Sequence, residues 1–334
     1  MSRKNRIPAR RSGFTLIEMI VVVVVVLTVS GLAIAIAAPD NEARRLRETA
    51  RQVSSMLQNA RAKAIEIGRP VGVSIEPDEI NPLRATSLQY VEVAPPYGGD
   101  FADSKAIVGA DPSFPTDITR GIAQVGAADA MWQGLVKIGD LIRFNHQGHF
   151  YQIVGPVDPT DNTLVDRSAA AFEIRSINSA VPRFADQGLS VPYEVVRQPE
   201  TSAGPPLEIP DGVVIDLSLS GVGKAGTFPA DPGPINLIFS PKGQVAILMP
   251  EDPTGTFQRQ AVPFDAIFLM IGNNESIGAI TAGTDNNLNN PNAYWVTVHH
   301  QTGLVTSSDN VPNSAGNLPA ARGKSIQSES TTTN

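Results

Sequence analysis

From residue 19 to residue 38 the chain runs for twenty residues without a charge, most of them valine, isoleucine, leucine or alanine. At about 1.5 Å of rise per residue, a helix of that length covers roughly 30 Å, the thickness of a bilayer's hydrocarbon core. The run therefore predicts a membrane-spanning helix. Five cations, Arg3, Lys4, Arg6, Arg10 and Arg11, precede it with no acid among them. That bias places the leading residues on the cytoplasmic side of the membrane and exports the rest of the chain. Glu18 stands at the head of the run, where an ionised carboxylate costs a few kcal/mol and is usually kept only where it has a partner.

The polar-to-apolar junction reads R-R-S-G-F-T-L-I-E over residues 10–18. It closely resembles the processing site of type IV prepilins and type II secretion pseudopilins. An ordinary secretory signal would instead be cut after the run, at small residues such as Ala35 or Ala38. The resemblance implies that prepilin peptidase cuts after Gly13, that Phe14 becomes a methylated N-terminus, and that the apolar run survives. Glu18 matches the glutamate that the family carries just inside its mature N-terminus. In a filament of packed apolar helices its carboxylate can pair with the Phe14 ammonium of a neighbouring subunit, so that neither charge stays alone in a low-dielectric setting. Gly13 and Phe14 are thus the expected processing residues, and Glu18 and Phe14 the expected assembly residues. The bland alternative is an interfacial Glu18 that snorkels to the headgroups.

Pro39 interrupts the helical pattern and predicts a kink. Beyond it Leu46, Ala50, Val53, Leu57, Ala60, Ala64 and Ile67 recur at spacings of four and three, which defines one buried face of an amphipathic helix over residues 41–67. The other faces carry six cations, Arg44, Arg45, Arg47, Arg51, Arg61 and Lys63, against Glu42, Glu48 and Glu66. They read as a solvated face or as a contact for acidic surfaces of neighbouring subunits. Gly68 and Pro70 end the helix, so residues 14–67 form one stem, roughly 80 Å long if fully helical.

With 28 Gly and 27 Pro in 334 residues, the body should be rich in turns and short strands. Strand signals fall at residues 71–76, 87–93, 135–144, 149–154, 171–177, 213–219, 235–239, 245–249, 266–271 and 294–299. The expected fold class is α+β: a long N-terminal helix, transmembrane over 19–38 and amphipathic over 41–67, packed on an antiparallel β body at 68–306. Residues 95–205 read as an inserted β subdomain, with a hairpin through Asn145, His146, Gln147 and Gly148. Residues 307–334, poor in large apolar side chains, read as a disordered tail. The passage A-R-A-K-A-I-E-I-G-R-P-V-G-V-S-I-E-P over 60–77 resembles the helix-to-strand passage of GspH/FimT-like minor pseudopilins. L-E-I-P-D-G-V-V-I-D, I-F-S-P-K-G-Q-V and Y-W-V-T-V-H-H-Q-T-G-L-V echo that subgroup's C-terminal half.

Chemistry-bearing patterns are sparse. Gly221, Gly223 and Gly226 satisfy G-x-G-x-x-G, but Pro229 and Pro232 follow where a phosphate-binding helix should open, so the stretch reads as a turn. The pairs His146/His149 and His299/His300 lack metal-ligand spacing with a nearby carboxylate. Asp158, Asp161, Asn162 and Asp166, and Asp285, Asn286, Asn287, Asn289 and Asn290, could offer oxygens to calcium but lack EF-hand spacing. No catalytic residue and no required cofactor is expected. Removing the five leader cations from the formal net charge of −7 leaves −12 for residues 14–334, which argues against nucleic acid as a partner. The absence of cysteine excludes disulfide stapling and thiolate chemistry. The expected function is a structural subunit of a type II secretion pseudopilus or type IV pilus, with prepilin peptidase, other pilin or pseudopilin subunits and the inner membrane as partners. The alternative is a membrane-anchored periplasmic binding module that recognises a secreted substrate or surface ligand.

Overall fold

A computed structural model describes residues 15–37, 41–110, 120–126, 131–156, 171–176, 189–230, 233–250, 258–261, 263–278, 286–312 and 317–331. The chain divides into two compact units, Met1–Arg44 and Arg45–Asn334.

The expected stem is two helices, α1 (Leu16–Ala37) and α2 (Asn41–Ile67). Pro39, the expected kink, lies outside the described residues. Among the described residues no helix is long and apolar enough to cross a membrane, so the transmembrane part of the expected fold is not seen. In α1 the side chains are described only as far as Thr28, short of the 18 residues that such a span requires.

In the larger unit, α2 turns the expected face inward: Leu46, Val53, Leu57, Ala60 and Ala64 are fully buried, and Met56 joins them. Gly68, at φ 65°, takes the left-handed conformation that closes the helix without the steric cost a side chain would bring. The chain then enters a hairpin of β1 (Val71–Pro77) and β2 (Arg84–Glu92). Its turn is organised by Asp78, whose carboxylate accepts the Ile80 and Asn81 amides at 2.8 and 3.1 Å and meets Arg84 at 3.0 Å.

Between this hairpin and the rest of the body lie β3 (Ala106–Ala110), β4 (Arg120–Val125), the short α3 (Trp132–Leu135), β5 (Leu141–Phe144), β6 (Tyr151–Pro156), β7 (Ala171–Ser176), β8 (Leu189–Val191) and β9 (Tyr193–Val196). These strands pair antiparallel in the order β8-β3-β4-β7-β6-β5-β9. The two ends of that sheet, β8 and β9, are halves of one segment separated only by Pro192. The sheet therefore curls round as a small barrel, with consecutive segments of chain at its two ends. It has its own core, in which Trp132 stacks on Phe172 at 4.6 Å and meets Tyr193 edge-on at 5.6 Å. The strand expected over 135–144 is corrected here. Its first half is the end of α3 and a turn in which the Asp140 carboxylate accepts the Lys137 amide at 2.8 Å, so a local polar contact overrides the alternating pattern. The Asn145–His146 turn is as expected, with φ 56° and 54° at its centre and Gln147 N donating to Phe144 O, but the hairpin it serves is longer than two residues, since β5 and β6 pair only from Ile142 and Tyr151.

The chain returns through β10 (Glu200–Thr201), β11 (Leu207–Glu208), β12 (Val213–Val222), β13 (Ile235–Phe239), β14 (Val245–Pro250), β15 (Gln258–Ala261), β16 (Ile267–Asn273), β17 (Tyr294–Val298) and β18 (Val305–Asp309). With β1 and β2 they form an antiparallel sheet in the order β15-β14-β13-β1-β2-β12-β16-β17-β18, while β10 and β11 fill the rest of β2's free edge. The α2 face packs into one core with Val71, Val73, Ile75, Leu237, Ile267, Leu269, Ile271 and Val296. The opposite face is covered as well. Phe268, Met270 and Trp295 lie under a C-terminal helix, α4 (Leu318–Thr331), and Ile238, Val91 and Val93 pack with Val196 of β9. Burial on both faces explains why β16 reads I-F-L-M-I without polar alternation.

The expected disordered tail is likewise corrected. Residues of β18 and α4 fall within 307–334, and Leu318, Ala321 and Arg322 are buried. Composition concealed this helix because its anchor is one arginine among small residues.

Candidate processing and assembly site

The structure is described from Thr15, so the expected processing residues Gly13 and Phe14 lie outside the described residues. Thr15 caps α1: Glu18 N donates to Thr15 Oγ1 at 3.3 Å and to Thr15 O at 3.1 Å, and Met19 N donates to Thr15 O at 3.2 Å. Thr15-x-x-Glu18 is thus a threonine N-cap with an acid at the third helical position, favourable to the positive end of the helix dipole. The capping signal is present in T-L-I-E, but the resemblance to a processing site draws attention to Glu18 alone and passes over Thr15. The Glu18 side chain is exposed and makes no hydrogen bond or ion pair among the described residues.

Between Glu18 and Thr28, α1 has no polar side among its described side chains. From Leu16 to Leu27 every large apolar residue is exposed, from 48% at Val22 to 78% at Leu16. At roughly 1 kcal/mol or more for each half-exposed side chain, leaving this surface in water costs on the order of 10 kcal/mol. Thr28, the polar interruption, returns its hydroxyl to Val24 O and Val25 O at 3.0 and 2.9 Å, so it brings no unsatisfied group to an apolar environment. As far as Thr28, α1 thus presents an apolar surface on every side.

The other sequence candidates resolve into architecture. In the glycine-rich loop, Gly223 (φ 70°) lets the backbone turn so that carbonyls, not amides, converge. Gly223 O, Gly226 O and Leu219 O accept Arg322 of α4 at 2.5, 2.8 and 2.6 Å. A phosphate would meet oxygens there. The guanidinium also lies 5.1 Å from the Phe268 ring and 5.5 Å from the Trp295 ring. Burial draws its pKa down to about 10, which leaves it charged at neutral pH.

Of the two oxygen-rich loops, Asp158, Asp161, Asn162, Asp166 and Asp285 lie outside the described residues. Asn286 and Asn287 are buried. Asn287 donates to the Asp216 carboxylate at 2.8 Å and accepts Asn273 N at 2.7 Å, while Asp216 also accepts Ser218 N, Ser218 Oγ and Leu219 N. Burial pushes the Asp216 pKa up, against the pull of Asn287 and Ser218. This network holds a bulge in β12, between Asp216 and Gly221, that carries Leu219 O to Arg322. Asn287→Ala, which removes the donor to Asp216 Oδ2 and the acceptor of the Asn273 amide, should cost about 2–4 kcal/mol in urea unfolding. A loss under about 0.5 kcal/mol would show the network to be dispensable.

His146 sits in its turn 3.7 Å from Glu194, and His299 and His300 follow the end of β17. Among the described residues no group of three or more His, Cys, Asp or Glu is placed to hold a metal.

No curated protein matches the chain. Its N-terminal residues 8–37, which include the Thr15 cap, Glu18 and the apolar face of α1, match the prokaryotic N-terminal methylation motif, and that match supports a type IV pilin-like chain processed by prepilin peptidase and assembled with other pilin subunits.

Proposed function

We propose that this protein is a structural minor pseudopilin or pilin subunit of the GspH/FimT-like kind, and not an enzyme. In this reading it is cut after Gly13, methylated at Phe14 and held in the inner membrane by a single pass over residues 19–38. Its β body is periplasmic, and it assembles through α1 into a type II secretion pseudopilus or type IV pilus. The observation that carries the reading is the helix that is apolar on every side, headed by one carboxylate and matched by the methylation motif. A body with two covered sheet faces presents no comparable surface among the described residues. Intact-mass measurement of the purified chain tests it. The expected mass is that of a chain beginning at methylated Phe14, and a chain still carrying residues 1–13 in cells with active prepilin peptidase would overturn it.

The barrel favours a second reading, a membrane-anchored module whose binding function resides in residues 106–196, because it has a core separate from the one that α2 covers. Excision of the barrel would then leave assembly intact and abolish capture of an exported ligand.

A further inference from the structure

The first turns of α2 carry Arg44, Arg45, Arg47 and Arg51. Arg47 is committed to the body: its Nε donates to the Tyr294 hydroxyl at 2.9 Å and its guanidinium lies 6.0 Å from that ring. The side chains of Arg44, Arg45 and Arg51 are exposed and make no hydrogen bond or ion pair among the described residues. The helical repeat puts Arg44 and Arg51 seven residues apart on one face, and Glu48, although within reach of both by spacing, pairs with neither.

Their place in the chain gives this face a partner. Arg44 follows the last residue of α1, Ala37, by seven residues, which even fully extended reach only about 25 Å. If α1 lies in a bilayer, these arginines are held beside its headgroups. Cleavage after Gly13 also changes the charge balance across the apolar segment. The uncut chain has five leader cations on one side and four arginines on the other. The mature chain has no Lys or Arg before Arg44, and its new ammonium is offset by Glu18. Processing therefore leaves the α2 arginines as the only basic side chains flanking the segment on either side, against Asp40, Glu42 and Glu48.

We propose that Arg44, Arg45 and Arg51 form a collar that binds anionic phospholipid headgroups on the periplasmic face of the inner membrane, and that removal of the leader makes this collar the chain's dominant electrostatic hold on the bilayer. The inference rests on the membrane-anchored reading above. Three basic side chains at an anionic surface, partly offset by the acids, amount to about a tenfold preference for anionic lipid.

The test uses the full processed chain in nanodiscs of phosphatidylcholine with a minor fraction of phosphatidylglycerol. Lipids retained by the chain after mild detergent extraction are counted by mass spectrometry. The wild type should retain phosphatidylglycerol about tenfold over its share in the disc, and the variant Arg44→Gln/Arg45→Gln/Arg51→Gln should fall to about its bulk share, as should the wild type in high salt. Equal retention by wild type and variant overturns the collar while leaving the anchored reading intact. The collar is also overturned if the arginines become protected only in discs holding two copies, whatever the lipid, because the occupant is then the acidic body of a second chain. A chain that stays soluble without detergent and does not enter discs overturns both readings.

Discussion

Glu18→Ala should abolish assembly while leaving membrane insertion and cleavage after Gly13 unchanged. Insertion should persist because removing a carboxylate makes the apolar segment a better membrane helix. Assembly should fail because the Phe14 ammonium of the neighbouring subunit would be left in a low-dielectric contact without its counter-charge, at a cost of about 3–5 kcal/mol. At about 1.4 kcal/mol per tenfold, that is a loss of roughly two to four orders of magnitude at each subunit contact. The structure adds a second role that must be separated from the first. Glu18 occupies the third position of α1 behind the Thr15 cap, so the alanine variant also loses an acid at the helix's positive end. Helix content of the variants in micelles reads the helix role by itself, and Glu18→Gln, which keeps the reach and polarity of the side chain but not its charge, tests whether assembly needs the carboxylate at all. If inter-subunit pairing is the function, Glu18→Gln should fail to co-purify with pilus or pseudopilus partners as completely as Glu18→Ala. If glutamine restores recovery, assembly needs no charge at this position and register is set elsewhere.

The second large effect lies at the far end of the chain. Arg322→Ala should destabilise the body by about 3 kcal/mol, read as a shift in urea midpoint of the full chain in detergent micelles. The substitution leaves Leu219 O, Gly223 O and Gly226 O without their donor, opens a cavity beneath α4, and removes the cation from between Phe268 and Trp295. One gain opposes these losses: a guanidinium with no carboxylate partner among the described residues no longer has to be buried. Arg322→Met weighs the two sides. It keeps much of the volume and gives up the charge and its hydrogen bonds, and a stability between those of wild type and alanine is expected. A methionine variant as stable as wild type would show that the arginine is merely tolerated. Millimolar methylguanidinium should restore part of the loss in Arg322→Ala, because the carbonyl socket is shaped for that group.

These two sites differ in how they were reached. Glu18 stands out locally, as a charge at the edge of an uncharged run, and its T-L-I-E context also encodes the cap. The α2 face was legible for the same kind of reason: Leu46, Ala50, Val53, Leu57, Ala60 and Ala64 repeat at the helical period, and that face is the one buried against the sheet. Strands β13 and β17 were read to within a residue because short, mostly apolar runs between turn residues are also local signals.

The remaining features depend on partners far apart in the chain. Arg322 meets Gly223 across 99 residues, and Asn287 meets Asp216 across 71. Nothing near Arg322 distinguishes an arginine about to be buried from one left in water, so residues 307–334 read as a tail until the glycine-rich loop supplied its carbonyls. The barrel is a similar case, since only the bend at Pro192 joins β8 on one edge to β9 on the other. Periodicity reports which face of an element is apolar. Which distant backbone groups then satisfy a buried charge, and whether a sheet's two edges meet, are settled only when tertiary packing brings those groups within hydrogen-bonding distance.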